Sequence, residues 1–319
     1  MIKKQFGFIP PVITLDNFIF GSLDKTKTLK GEVIRPDGQW DNDLPEDEIQ
    51  RRYNFESMNC TNYGTLNCKD TLENAQYKSF RNDSERFLGV VSLTSPSGNN
   101  PHYVAEAIRN KGLIPEEALP WSPDINTWNE YYSPNPMTRN YLDMGEQWLL
   151  KYDFGHEYAF HGYDSLKTKQ TKLMEALKYS PIGISVCAWH YRNGMYYKPT
   201  NGNDNHWVEM YGYVKDKYWK IFDSYDNTRK KVEWNTNFSF AKKYQLKKKT
   251  TNMLKNKLEQ VYQELLMRGW KELEDGSAYL NMDEDFVREE VGKSAERKQI
   301  ISLVEFARKW KMINMFSGK

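Results

Sequence analysis

The sequence predicts an α+β fold in three parts: an extended N-terminal arm over residues 1–45, a mixed globular domain over 46–245 and a helical C-terminal extension over 246–319. Three observations predict it. A helical stripe runs Cys60, Tyr63, Gly64, Asn67, Cys68, Thr71, Leu72, Ala75. Two aromatic and β-branched runs, Asn205 to Tyr213 and Tyr218 to Asp223, flank the short turn Val214 to Lys217. Beyond Lys247-Lys248-Lys249 the composition shifts to Leu, Lys, Glu and Met at helical spacing.

The arm is punctuated by Pro10, Pro11, Pro36 and Pro45, with Gly38 and a polar, acidic stretch from Asp41 to Glu48. Its apolar pieces, Phe6 to Pro11, Val12 to Leu15 and Phe18 to Phe20, have no helical period. Alone, such a segment buries too little surface to offset its ordering entropy. It is therefore expected to lie as a strap across the globular domain, covering grooves there. In the C-terminal part, Leu254, Leu258, Val261, Leu265 and Leu266 fit one helical face and Ile300, Leu303, Val304, Ala307 and Trp310 another. Helices are expected over 251–268 and 283–312, broken near Asp275-Gly276. Neither stripe is long enough for a coiled coil. The Lys247–Lys249 run reads as a solvated helix start.

Composition narrows the functions. Lys and Arg total 45 against 43 Asp and Glu, a net charge of +2, which argues against nucleic acid as the main partner. The mean hydropathy is −0.82, yet 14% of the residues are aromatic, enough apolar area for a core. No apolar run approaches the roughly 20 residues that cross a bilayer, so no membrane partner is expected. Met1 to Phe8 lacks the apolar run of a signal peptide. Three cysteines with no C-x-x-C spacing argue against a disulfide framework or a zinc site and for reduced thiols in an intracellular setting. No cofactor or metal is expected.

Cys60 falls in the first turn of its predicted helix, about Cys60 to Lys78, with Ser57 or Asn59 available as N-cap. Free N–H groups and the positive dipole end favour a thiolate there. Cys68, two turns on, and Cys187, in the apolar run Ile182 to Trp189, read as core. A cysteine alone is more often buried than catalytic, so a base is needed. The hairpin closed at Val214 to Lys217 brings His206 to the end that carries Asp223, where a carboxylate holds an imidazole in one tautomer. The same pair also fits a hairpin's solvated open end. Among the other histidines, His102 is read as a cleft or surface residue. His156, His161 and His190 have no Cys or carboxylate at ligand spacing. Glu56 is read as a capping or pairing residue.

The order Cys60, His206, Asp223 resembles that of the papain-like cysteine peptidases. The likeness extends collinearly from about Tyr53 to Tyr225. Ser84 to Leu88 resembles the family's S-E-Q-x-L strand, and Ser97 to Pro101 its glycine-rich substrate loop. Val104 to Ile114 resembles the following helix and turn, and Leu119-Pro120-Trp121 its Y-P-Y stop. Ser180 to Val186, Asn205 to Tyr213 and Tyr218 to Tyr225 look like its three site-bearing strands. The Gly, Asn and aromatic pattern and the Asp37-Gly38-Gln39-Trp40 segment look most like phage-encoded members. The resemblance implies a papain-like fold, a helical half with the nucleophile and a β-barrel-like half with His and Asp.

It also implies a peptidase with Cys60 as nucleophile, His206 as base and Asp223 in place of the family's orienting Asn. The oxyanion donor six residues before the nucleophile would be Asn54 instead of Gln, and Thr61 replaces the usual Trp. Gly98 and Asn99 would bind the substrate backbone as a short edge strand. Peptide or protein substrates and other virion proteins are the implied partners, in an infected host's cytoplasm or in a virion. Two alternatives share the fold: a scaffold in a virion or assembly, and an amidase or acyltransferase.

Overall fold

In the computed structural model the described residues are 6–14, 17–22, 28–29, 31–52, 55–79, 81–226 and 228–249, with the backbone of 270–272 and 278–280. The chain divides into two compact units, Met1–Lys248 and Lys249–Lys319. In the second, β11 (Trp270–Glu272) pairs antiparallel with β12 (Ala278–Leu280). The helices expected over 251–268 and 283–312, and the Asp275-Gly276 break, lie outside the described residues.

The first unit is mixed α and β. A small pair, β1 (Arg51–Arg52) and β2 (Phe55–Glu56), precedes α1 (Cys60–Tyr77), α2 (Glu85–Val91), α3 (Pro101–Lys111), α4 (Trp128–Tyr131) and α5 (Arg139–Lys151). Then come β3 (Tyr152–Tyr158), α6 (Leu166–Ala176), β4 (Ile182–Val186), β5 (His190–Arg192), β6 (Met195–Tyr197), β7 (His206–Val214), β8 (Tyr218–Asp223), β9 (Thr228–Glu233) and β10 (Ala241–Lys248). Eight of these strands form one sheet in the order β3-β10-β4-β7-β8-β9-β6-β5, antiparallel except between β6 and β9.

The predicted hairpin is β7–β8, with Val214 opposite Tyr218 and Glu209 opposite Phe222. Its β-branched and aromatic residues suit a sheet buried on both faces, and Trp207, Val208, Met210, Trp219, Ile221 and Phe222 are all buried. Helix α1 lies on this sheet, closely enough at Gly64 that a Cβ there would stand 2.9 Å from the Trp207 carbonyl oxygen. One polar knot is buried under it: the Lys69 ammonium pairs with Asp70 (3.0 Å), Glu73 (2.5 Å) and Asp83.

Two expectations are corrected. Ser84 to Leu88 is not a strand. Ser84 accepts a hydrogen bond from the Phe87 N–H at 3.2 Å and so caps the start of α2. Lys247 and Lys248 do not start a helix but end β10, opposite Asp153 and Tyr152, because buried Tyr244 and Leu246 draw this segment into the sheet.

The described part of the arm holds no helix. Phe8 and Ile19 form isolated bridges to Asn99 and Tyr158. Trp40 is fully buried and ties the arm's far end to the core, its indole N–H donating to the Leu177 carbonyl at 2.8 Å.

Candidate active site

Three element ends converge. Cys60 is the first residue of α1, His206 the first of β7 and Asp223 the last of β8. All three are fully buried. Asn59 is the N-cap of α1 but makes no side-chain capping bond; its amide instead donates to the Tyr131 hydroxyl at 2.9 Å. The Asn62 and Tyr63 N–H groups donate to the Asn59 carbonyl at 3.0 and 3.1 Å, so the helix start is closed by backbone and not by a side-chain cap. Cys60 packs with Trp207 in one buried cluster, and the backbone N–H groups of Trp207 and Thr61 favour its ionised form against the larger penalty of burial.

His206 Nε2 lies 2.7 Å from Asp223 Oδ1. That bond commits Nε2 and leaves Nδ1 as the ring's other polar atom. Nδ1 is buried and has no hydrogen-bond partner among the described residues. Asp223 accepts four donors. The Tyr225 N–H reaches Oδ1 at 3.0 Å, while the Trp189 indole N–H at 2.8 Å and the Lys230 ammonium at 2.9 Å reach Oδ2. Burial pushes this carboxyl up, but His206 and Lys230 together hold it well below the usual carboxylate range.

The arm closes over these groups. The Phe6 ring stands 4.9 Å from the His206 ring and 4.6 Å from Tyr225, while Phe8 stacks on Trp207 at 5.7 Å. Phe6, Phe8, Cys60, Trp207 and Tyr225 form one buried apolar cluster. Between the two rings the backbone is pinned: the Asn99 N–H donates to the Gly7 carbonyl and the Ile9 N–H to the Asn99 carbonyl, both at 2.9 Å. Gly7 has φ +101°, and a Cβ there would fall 2.0 Å from the Met58 carbonyl oxygen. A Cβ on Gly98, at φ +97°, would fall 1.9 Å from the Gly7 carbonyl oxygen. Only glycine fits on either side of this contact. Burial pushes the Cys60 thiol well up.

The edge at Gly98 and Asn99 thus pairs with a strand-like segment, and that segment is the protein's own arm. Asn99 is held by its side chain, which donates to the Ser92 carbonyl at 2.7 Å, and Ser92 in turn donates to Asn62 on α1 at 3.0 Å. Asn54 lies outside the described residues. A different amide reaches the cleft. Gln50 is fully buried, and its Nε2 donates to the Phe6 carbonyl at 3.4 Å and to Glu56 at 3.2 Å. Its backbone is anchored to both halves, accepting from Ser57 Oγ at 2.6 Å and donating to Ser224 at 3.0 Å. Glu56 pairs as expected, also accepting from the Met58 N–H at 3.2 Å.

The remaining sequence candidates fall elsewhere. Cys68 is core, and Cys187 lies just past the end of β4. His156 does have a carboxylate partner, contrary to expectation: Glu106 of α3 at 2.8 Å, which the chain brings across from 50 residues away. His102 packs beside His156 and Tyr158. Asp70, Glu73 and Asp83 gather as metal ligands do, but the Lys69 ammonium sits among them.

No protein-family model matches the chain, and no curated protein matches it by sequence. Solved structures do. Xylellain, a cysteine protease from Xylella fastidiosa, aligns at a TM-score of 0.53 and 15% identity over 78% of this chain and 97% of that one. The ragweed pollen allergen Amb a 11, a cysteine protease in its proform, aligns at 0.47 and 15% identity over 70% of each chain. Digestive procathepsin L 3 of Tenebrio molitor larval midgut aligns at 0.45 and 15% identity, over 67% of this chain and 75% of that one. The fold is that of the papain-like cysteine peptidases.

Proposed function

We propose that this protein is a thiol-dependent hydrolase of peptide bonds. One observation carries the reading: a helix-start cysteine shares a buried cluster with Trp207, the residue after His206, and His206 is bonded to Asp223 with its second ring nitrogen unpartnered among the described residues. In this mechanism His206 Nδ1 takes the thiol proton, Cys60 attacks the carbonyl carbon, and the imidazolium protonates the leaving amine. Water then hydrolyses the thioester with the same base. Asp223 holds the ring and stabilises its charge. The Cys60 N–H and the Gln50 amide are the proposed oxyanion donors, with Asn54 the alternative side chain. A single such donor is worth roughly 3 kcal/mol. Asn99 binds substrate backbone once the arm has left.

The described state is the covered form, and turnover requires Phe6 to Ile9 to leave the cleft. The substrate is a peptide or protein. Transfer of the acyl group to an amine or alcohol uses the same thioester and differs only in the acceptor. The test is twofold. Cys60→Ala abolishes hydrolysis of a peptide library while keeping the wild-type circular dichroism. An electrophilic peptide probe labels Cys60 in preference to Cys68 and Cys187. Hydrolysis unchanged in Cys60→Ala refutes the reading. Equal or no labelling of the three thiols in Phe6→Ala/Phe8→Ala, where the cover is removed, supports the scaffold alternative.

A further inference from the structure

Resting on that reading, we propose that Lys230 is a positioning residue of the site, the buried counter-charge that keeps Asp223 ionised and fixed against His206. The side chain is almost wholly buried, at 1% exposure. Strand β9 puts it there. Lys230 stands opposite Ile221 on β8, and Asp223 lies two residues further along the same face, so lysine and aspartate are diagonal neighbours. The ammonium has three N–H donors, and three acceptors surround it: Asp223 Oδ2, Asp226 and Thr228. The rings of Trp189 and Tyr196 close the remaining sides at 5.1 and 5.5 Å.

The charge balance explains the need. A buried carboxylate paired only with an imidazole that must cycle between neutral and charged would stand uncompensated half the time. A fixed cation on its far oxygen removes that problem and lowers the field that the carboxylate alone would exert on His206. Among the described residues the other ionisable groups facing the pair are Cys60 on α1, Glu56 on β2, Tyr225 and Asp226 after β8 and Arg51 on β1. Arg51 lies over the Tyr225 ring at 4.5 Å. Among the described residues none of these side chains bonds to Asp223, and the positive charges acting on it are those of Lys230 and His206.

The test reads the His206 ring directly, without turnover. The full chain is labelled with carbon-13 histidine and its five histidine resonances are titrated by NMR, His206 being assigned by its loss in His206→Asn. Lys230→Met removes a cation and moves the His206 midpoint up, by about one to two pH units for a unit charge a few ångströms away at an effective dielectric near 20. Asp223→Asn leaves the lysine opposed by Asp226 alone and moves it down. The double variant Asp223→Asn/Lys230→Met moves it back up from the Asp223→Asn value by about one to two units, short of wild type because the carboxylate touches the ring and the ammonium does not. Opposed single shifts, with the double variant cancelling the lysine's part of the downward shift, establish the counter-charge. If Lys230→Met does not fold, Asp223→Asn and the double variant still decide. A midpoint higher in the double than in Asp223→Asn supports the proposal, and one no higher overturns it. A midpoint unmoved in a folded Lys230→Met, or two single shifts of the same sign, also overturns it. A chain that cleaves no peptide yet shows the cancelling pattern refutes the peptidase reading alone.

Discussion

Removing the two rings that the arm inserts over the site will expose Cys60. Phe6 and Phe8 retain 3% and 8% of their exposure, and Cys60 retains none. Burying a phenylalanine contributes about 1.5–3 kcal/mol, so Phe6→Ala/Phe8→Ala weakens arm docking by about 3–6 kcal/mol. The two backbone bonds through Asn99 survive and hold about 1 kcal/mol each. At 1.4 kcal/mol per decade, the open fraction rises by about 10²- to 10⁴-fold until the arm is mostly undocked. The assay is the rate of Cys60 alkylation by iodoacetamide at neutral pH, read by peptide mapping, with Cys68 in the core as internal reference. The expected result is a Cys60 rate raised at least about 100-fold with Cys68 unchanged. Gly7→Ala reaches the same end by adding an atom, since its Cβ would meet the Met58 carbonyl oxygen at 2.0 Å. A Cys60 rate within twofold of wild type in both folded variants refutes the view that the arm is the cover.

Steady-state kinetics on an arm-released background separate the two oxyanion candidates. Gln50→Ala is expected to lower kcat by about 10²- to 10³-fold with little change in KM, and Asn54→Ala by less than about tenfold. Stability against pH tests the buried carboxyl in β7. Burial pushes Glu209 up to about 8, whereas in the unfolded chain it titrates near 4.5. Its contribution is fully present below about 4.5 and is lost as pH rises through about 8. Urea unfolding should therefore find Glu209→Gln close to wild type at pH 4 and more stable by about 2–5 kcal/mol at pH 8.5.

What could be read along the chain was what local periodicity and chain order encode. Cys60 at a helix start follows from a 3.6-residue stripe. The His206–Asp223 approach follows from one tight turn that sets the register of both flanking strands. The missed residues are those whose position depends on tertiary geometry. Counting back from Cys60 points to Asn54, which lies outside the described residues, while Gln50, ten residues before Cys60, shows its amide beside Phe6 only through tertiary contacts. Lys230 lies in Thr228-Arg229-Lys230-Lys231, which reads as a solvated basic strand. Only its pairing with β8 turns one lysine of the run inward while Arg229 and Lys231 remain exposed. His156 finds Glu106 for the same reason, across 50 residues. The arm's need for a docking surface was legible in its composition, but which groove it fills was not.

That groove joins latency to stability. The arm has no core of its own, so the apolar surface that orders it must belong to the domain, and Phe6 and Phe8 take theirs from the cluster around Cys60 and Trp207. The same burial that holds the arm removes solvent from the thiol and pushes its titration up. On the proposed reading, covering the thiol and opposing its ionisation thus share one physical cause. Any change that loosens the arm both uncovers the sulfur and lets water reach it, which lifts the desolvation that chiefly opposes its ionisation. Reactivity on opening should therefore rise by more than accessibility alone predicts. Alkylation rates of the arm-released variants measured across pH 5 to 9 check this. The profile should follow a thiol titration lowered from that of the covered wild type, and one unchanged from the covered wild type would show that the arm blocks access without tuning the thiol.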